Sequence, residues 1–498
     1  MSAPSNDRAS ARGVALEAHA GLITAAALIV GAGVLLVACG PPKVDDPIAT
    51  LSTTDSTPGQ YARAMELLDE TPNDPAYIQA LRRMLHVPGY TVRTREMALD
   101  RLAVVDPDAM LRTLEVQLPR LGALEWRRRL CEIIAERGWT ELGPTLIVAW
   151  AQPMDAWVPR DEERPERKAL ERLFASSADG RELSDYLLQV FVETRSPAQQ
   201  NLRARSWEML LRIGERERLA TLLAQTEVSP DDALLADLRA GVVDLGVFPE
   251  TREEILWLRS LRQPEHAAHW SEAREAIAAL SPERRAGLEL RDVAIVIAAA
   301  RHRRDLLDAD ERELYARLDA YLRSPAAGRT HMMSFEGTAG HFRQRLHEWR
   351  DQLTWSDLVA MHLAISALQV PQLVDHLFDY ADRDHRDRTT EYGGLIRLDD
   401  RGRFELVEYP PRVRGNDERF ETPPEMMTDG YTALFHFHYH ATRHDNARWA
   451  APGTGDLRYA ELTRVNALVF TFIDRRILNV DFYRHSGVSV DLGEIRRP

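Results

Sequence analysis

The stretch Tyr431–His440, YTALFHFHYH, decides the reading of the C-terminal fold. Its last six residues alternate aromatic and imidazole side chains: Phe435, His436, Phe437, His438, Tyr439, His440. A period of two belongs to a β-strand, where successive side chains point to opposite faces. The strand therefore presents three aromatics to one side, suited to an apolar core, and three histidines to the other. Imidazoles at i and i+2 can share one metal ion, and Zn²⁺ takes nitrogen ligands readily. A solvated strand face is the plainer account of the same alternation.

Strand signals continue on both sides. GLIRL, the turn DDRG and RFELVEY read as a β-hairpin, and NALVFTFI, DRR and LNVDFY as another. VSVDLGEI closes the chain, and DLRYAELTR reads as a short helix capped by Asp456. One long helix, about Trp355 to Arg386, precedes the first strand. Residues 355–498 are thus expected to form an α+β domain.

Upstream, residues 58–350 are helical in nearly every window, with apolar residues at three- and four-residue spacing such as Ala98, Leu99 and Leu102. Three stretches starting at Val92, Leu124 and Leu202 can be laid side by side. Each has a basic amphipathic first helix, a short turn and a Leu-rich second helix, which resembles a HEAT-type pair. The fold class expected is therefore multidomain: a mostly α region, an α-solenoid or HEAT-like array, followed by the α+β domain. Such arrays commonly offer a binding surface to a protein partner. The histidines there, among them His86, His331, His341 and His347, form no ligand pair with a nearby acid.

The first residues carry a different signal. Arg8 and Arg12 precede the uncharged run GLITAAALIVGAGVLLVA, Gly21 to Ala38, and Cys39 follows at once. A basic start, an apolar middle and small residues before a cut site are the layout of a secretory signal. LVAC resembles the bacterial lipobox, which implies cleavage after Ala38 and lipid on Cys39. Residues 1–38 are then a signal peptide and 39–57, rich in Pro, Asp, Ser and Thr, a flexible tether. An uncleaved spanning helix is the alternative. The expected setting is the bacterial cell envelope, with the outer membrane favoured because residue 41 is proline. The second cysteine, Cys131, is then without a partner and reads as a buried helical residue. A net charge of −14 lacks the basic footprint of a general nucleic-acid binder.

The C-terminal domain resembles the JAB/MPN/JAMM family of zinc-dependent peptidases and isopeptidases. Glu391-Tyr392-Gly393-Gly394 resembles the family's glutamate strand with its preceding helix. His436-Phe437-His438 resembles the His-x-His pair, and Asp456 in PGTGDLRYA the aspartate heading a helix. The resemblance implies that His436, His438 and Asp456 hold Zn²⁺ with a water in the fourth position, and that Glu391 relays that water's proton. Departures are visible. The stretch from His438 to Asp456 is longer than usual, Tyr439 stands for a proline, and Gly453 stands for the serine that stabilises the oxyanion. Thr454, beside it, offers a hydroxyl. His438 and His440 are an alternative pair, with His436 deeper in the sheet. Two functions follow: an envelope metallohydrolase for peptide or isopeptide bonds, or a non-catalytic binding lipoprotein whose helices carry the working surface. A zinc deaminase is set aside, because no Cys-x-x-Cys is present.

Overall fold

Proline directly after a capping side chain starts many of the helices. Asp46, Thr57, Asp74, Asp106 and Ser281 each accept a backbone N–H of the turn they open, and each is followed by proline at the first helical position. Proline fits there because its missing N–H is one that the helix leaves unpaired anyway, and each cap is worth about 1 kcal/mol. Gly138, in the left-handed region at φ 65°, ends the helix Leu124–Arg137. The computed structural model describes residues 42–152, 160–175, 182–225, 231–328, 343–411, 415 and 420–498. Over these it is mostly helical, with a six-stranded mixed sheet at the C-terminal end. Cys39 and the apolar run before it lie outside the described residues, as do His331 and His341. Among the described residues no single helix is long and apolar enough to cross a membrane.

The three stretches aligned above are helix pairs: Val92–Val105 with Pro107–Gln117, Leu124–Arg137 with Gly143–Ala151, and Gln200–Arg212 with Arg216–Gln225. Cys131 is buried in the second pair, where burial pushes its thiol up. The segment read as a tether to residue 57 is shorter than expected. Pro47–Ser52 is a helix, Leu51 is buried, and Tyr90 and Tyr61 donate hydroxyl hydrogens to the carbonyls of Leu51 and Thr53, both at 2.8 Å. One buried leucine and two tyrosine hydroxyls hold a stretch whose composition looks loose.

The helix expected over Trp355–Arg386 is two helices, Trp355–Ala367 and Pro371–Arg386, bent by 86°. Pro371 cannot donate to the preceding turn and crowds it, so the chain restarts there. The first helix is buried on nearly all sides. The second buries the stripe Leu373, Val374, Leu377, Phe378 and Ala381 and exposes the opposite face.

The apolar core does not divide at residue 350. The two large groups of buried residues run from Leu51 to Ile255 and from Leu245 to Leu492, and a small third holds Leu395, Met426 and Ala433. Helices Arg252–Leu261, Ala267–Ala278, Asp292–His302 and Glu311–Arg323 therefore share a core with the sheet. The compositional change near residue 388 marks where helix gives way to strand, which is not where one core gives way to the next.

The strands are β1 (Gly393–Leu398), β2 (Phe404–Tyr409), β3 (Phe435–His440), β4 (Ala467–Asp474), β5 (Ile477–Tyr483) and β6 (Ser489–Arg496), in the order β2-β1-β3-β4-β5-β6. Neighbours are antiparallel except β3 and β4, which are parallel and joined through the helix Thr454–Thr463. As the alternation requires, Phe435, Phe437 and Tyr439 enter the core on one face. Phe437 and Tyr439 meet Tyr380 edge-on, and the Tyr439 hydroxyl donates to the Leu377 carbonyl at 2.9 Å.

Candidate metal centre

The three histidines of β3 share the other face, and their depths differ. Residues i and i+2 of a strand lie about 6.6 Å apart along its axis, so one added ligand can meet two neighbours but not all three. That ligand, Asp456, comes from the first turn of the helix Thr454–Thr463, beside the C-terminal end of β3. It meets His438 and His440. His438 Nε2 lies 3.2 Å from Asp456 Oδ1, His440 Nε2 lies 3.5 Å from Asp456 Oδ2, and the two Nε2 atoms are 3.4 Å apart. One ligand atom from each of the three residues falls within 4.8 Å of the others, a group able to hold a metal ion.

His436 is not part of this group, contrary to the first assignment from the sequence. Its Nδ1 lies 2.7 Å from the Tyr459 hydroxyl, and its Nε2 is packed on Gly430, where a Cβ would sit 2.3 Å away. Burial pushes this imidazole down to about 3, so it is neutral. The alternation identified the face; only the position of the helix start selects the pair.

Asp456 is not the helix cap. Gly453 occupies that position, and Asp456, three residues on, accepts the Gly453 N–H with Oδ2 at 2.6 Å. This bond fixes the carboxylate towards the strand and places its charge at the positive end of the helix. At the other end Arg464 adopts a left-handed φ of 61° and reaches Glu250 at 3.1 Å and Glu254 at 3.7 Å, which anchors the helix to the helical region.

Partners on the far side of each ring complete the arrangement. His440 Nδ1 lies 2.9 Å from the Trp449 carbonyl, and His438 Nδ1 lies 3.3 Å from the Tyr483 hydroxyl. Contacts of this kind hold a ligating ring in one orientation. The side chain of His438 is 6% exposed, that of His440 14% and that of Asp456 21%, so the group opens to solvent on the His440–Asp456 side.

Glu391 precedes β1 and is buried. Gly393 pairs with His438, and the Tyr439 N–H donates to the Tyr392 carbonyl at 3.1 Å, so the same register places Glu391 opposite His440. Electrostatics agree. Burial alone would lower His440, but the hydrogen bond and charge of Asp456, with the charge of Glu391, hold it up to about 9. Burial would raise Asp456, but His438 and His440 hold its carboxyl well below the usual carboxylate range. Thr454 opens the helix and is exposed, and among the described residues no hydrogen bond joins it to the group.

The donor set, two imidazole nitrogens and a carboxylate with oriented rings, fits a zinc-type cation. Three protein ligands leave a coordination place for water or substrate, the arrangement of catalytic and not of structural zinc sites. No family model matches the chain, and no curated protein or solved structure is similar to it.

Proposed function

We propose that the chain is an envelope lipoprotein, anchored through Cys39, whose C-terminal domain is a JAMM-like zinc hydrolase acting on peptide or isopeptide bonds. The observation that carries this reading is the convergence of His438, His440 and Asp456 on one point, with Glu391 across the β1–β3 pair from His440. Elements follow in the order the family pattern asks: helix, glutamate, hairpin, histidine strand, aspartate on a helix start.

In this reading His438, His440 and Asp456 hold the cation. When bound, zinc supplies Lewis acidity that activates a water and polarises an amide carbonyl. Glu391 accepts a proton from the attacking water and returns it to the leaving nitrogen, the work of a general acid–base. The Trp449 carbonyl and the Tyr483 hydroxyl keep the two rings aimed.

Zinc analysis of purified protein tests the site. Wild type is expected to carry one zinc that the His438→Ala, His440→Ala double variant lacks; equal metal in both would sink the reading. Glu391→Gln is expected to keep zinc and lose amide hydrolysis.

A second reading, a non-catalytic binding lipoprotein with a retained metal centre, is favoured by one observation. Gly453 offers no side chain where the family pattern has its serine, and among the described residues no hydrogen bond joins Thr454 to the site. Bound zinc without any amidase activity would select it.

A further inference from the structure

Each histidine of β3 rests its Nδ1 on an oxygen, but the oxygens differ in kind. Trp449 offers His440 a carbonyl, which only accepts. His440 therefore keeps a proton on Nδ1 in every state, and its Nε2, beside Asp456, is the atom that meets a cation. His438 has a hydroxyl instead, Tyr483, at 3.3 Å. A phenol both donates and accepts.

The other nitrogen of His438 shows why this matters. Its Nε2 lies 3.2 Å from a carboxylate oxygen of Asp456, which only accepts. The same nitrogen lies 3.4 Å from His440 Nε2, but the carboxylate is nearer and charged. Donation to Asp456 puts the proton on His438 Nε2 in metal-free protein, and Nδ1 then accepts from the Tyr483 O–H. With Nε2 engaged by a cation, the Nε2 proton leaves to solvent and one is taken up at Nδ1. Nδ1–H then donates to the phenol oxygen. A carbonyl in place of the phenol would leave two lone pairs facing each other in the metal-free form. An apolar residue would leave Nδ1–H buried and unpaired in the loaded form, which weakens binding of the cation.

Tyr483 is built to stay where it is. It is 2% exposed on the last residue of β5. The two residues after it are tied down, Arg484 to Asp357 and His485 to Glu289 at 2.6 Å. Its ring meets His438 edge-on at 6.2 Å between centroids.

Resting on the metal reading above, we infer that Tyr483 is a positioning residue for the ligand His438. Its hydroxyl reverses from donor to acceptor as a zinc-type cation binds, so that neither the empty nor the loaded site holds an unpaired imidazole nitrogen.

Calorimetric titration with zinc of four proteins tests this: wild type, Tyr483→Phe, Tyr459→Phe and the His438→Ala, His440→Ala double variant. Tyr483→Phe keeps the ring and is expected to bind zinc about 10–100-fold more weakly. Tyr459→Phe, which removes the same group from the non-ligand His436, is expected to bind like wild type. If wild type binds and Tyr483→Phe equals it, the role of Tyr483 falls while the metal centre stands. If wild type behaves like the double variant, both fall. Imidazole ¹⁵N spectra of unaltered protein give a readout without any variant. His438 Nδ1 is expected to be bare before zinc and protonated after it, and a proton on Nδ1 in both states overturns the inference.

Discussion

Arg484, at the turn after β5, grips Asp357 from a distant helix with two parallel N–H···O contacts, Nε to Oδ1 and Nη2 to Oδ2, both 2.9 Å. Asp357 also accepts from Arg291 at 2.7 Å, and it accepts the N–H of Thr354, the cap of its own helix, at 2.9 Å. All three charged side chains are buried. Burial would raise the Asp357 carboxyl, but the two guanidinium groups hold it below its ordinary value. Removing one partner of such a set leaves uncompensated buried charge. Asp357→Ala is expected to destabilise the fold by about 3–5 kcal/mol, read as a shifted midpoint in chemical denaturation. A change under about 1 kcal/mol would mean that the ions are held only loosely.

Gly394 marks a second sensitive point. A Cβ there would meet the Val407 carbonyl oxygen at 2.2 Å and the Phe437 ring at 2.9 Å. The first neighbour is backbone of the paired strand and cannot rotate away. Gly394→Ala is expected to part β2 from β1 locally and cost at least about 1–3 kcal/mol, seen as a lowered Tm. An unchanged Tm would mean the hairpin yields. Because Glu391 stands two residues before β1, the same variant is expected to lower the proposed hydrolysis more than zinc content.

Acid should unfold the protein through imidazoles that are buried without charge. His436 is pushed down to about 3 and His269 to about 4, both chiefly by burial, against an ordinary value of 6.5. Below pH 6.5 the unfolded chain takes up protons that these sites refuse. Each site therefore contributes stability that is complete above 6.5 and is lost as pH falls towards the folded value, at about 1.4 kcal/mol per pH unit. His436→Gln is expected to flatten the fall of Tm between pH 6.5 and 4. A variant as acid-sensitive as wild type would assign the effect elsewhere.

Metal uptake should run the other way. His440 is held up to about 9 and is protonated at neutral pH in metal-free protein. A cation must displace that proton, so zinc affinity is expected to rise about tenfold per pH unit up to that value. Calorimetry in two buffers of different ionisation enthalpy reads the released proton directly. The same raised value means that the His440–Asp456 contact stabilises metal-free protein fully below pH 6.5 and is lost as pH rises through about 9. An affinity flat with pH would count against His440 as a ligand.

Much of this was legible in the residues. The alternation of Phe435–His440 carried the strand and its two faces, and both hairpins fell where turn residues interrupt apolar runs. Local pattern could not carry depth. His436 and His440 are equivalent in sequence, and only the seating of the helix Thr454–Thr463 beside the end of β3 separates them. The Glu391–His440 relationship needed the β1–β3 register, which no local pattern states. The same blindness affected the core boundary, because amphipathic helices on either side of Leu245 look alike whichever surface they cover. Pro371 was a signal in plain view, and reading it would have divided the helix.

The parallel pairing of β3 and β4 has a consequence for the order of assembly. Asp456 rides on the connection between those two strands, so its helix is expected to seat together with the pairing of β4 on β3. His438 and His440 share a short local segment, while their third companion arrives through long-range contacts, which are slow to form. A cation taken up there joins a scaffold already finished. Chelation should then strip the ion and leave the protein standing, unlike a zinc finger, which collapses when its metal is withdrawn.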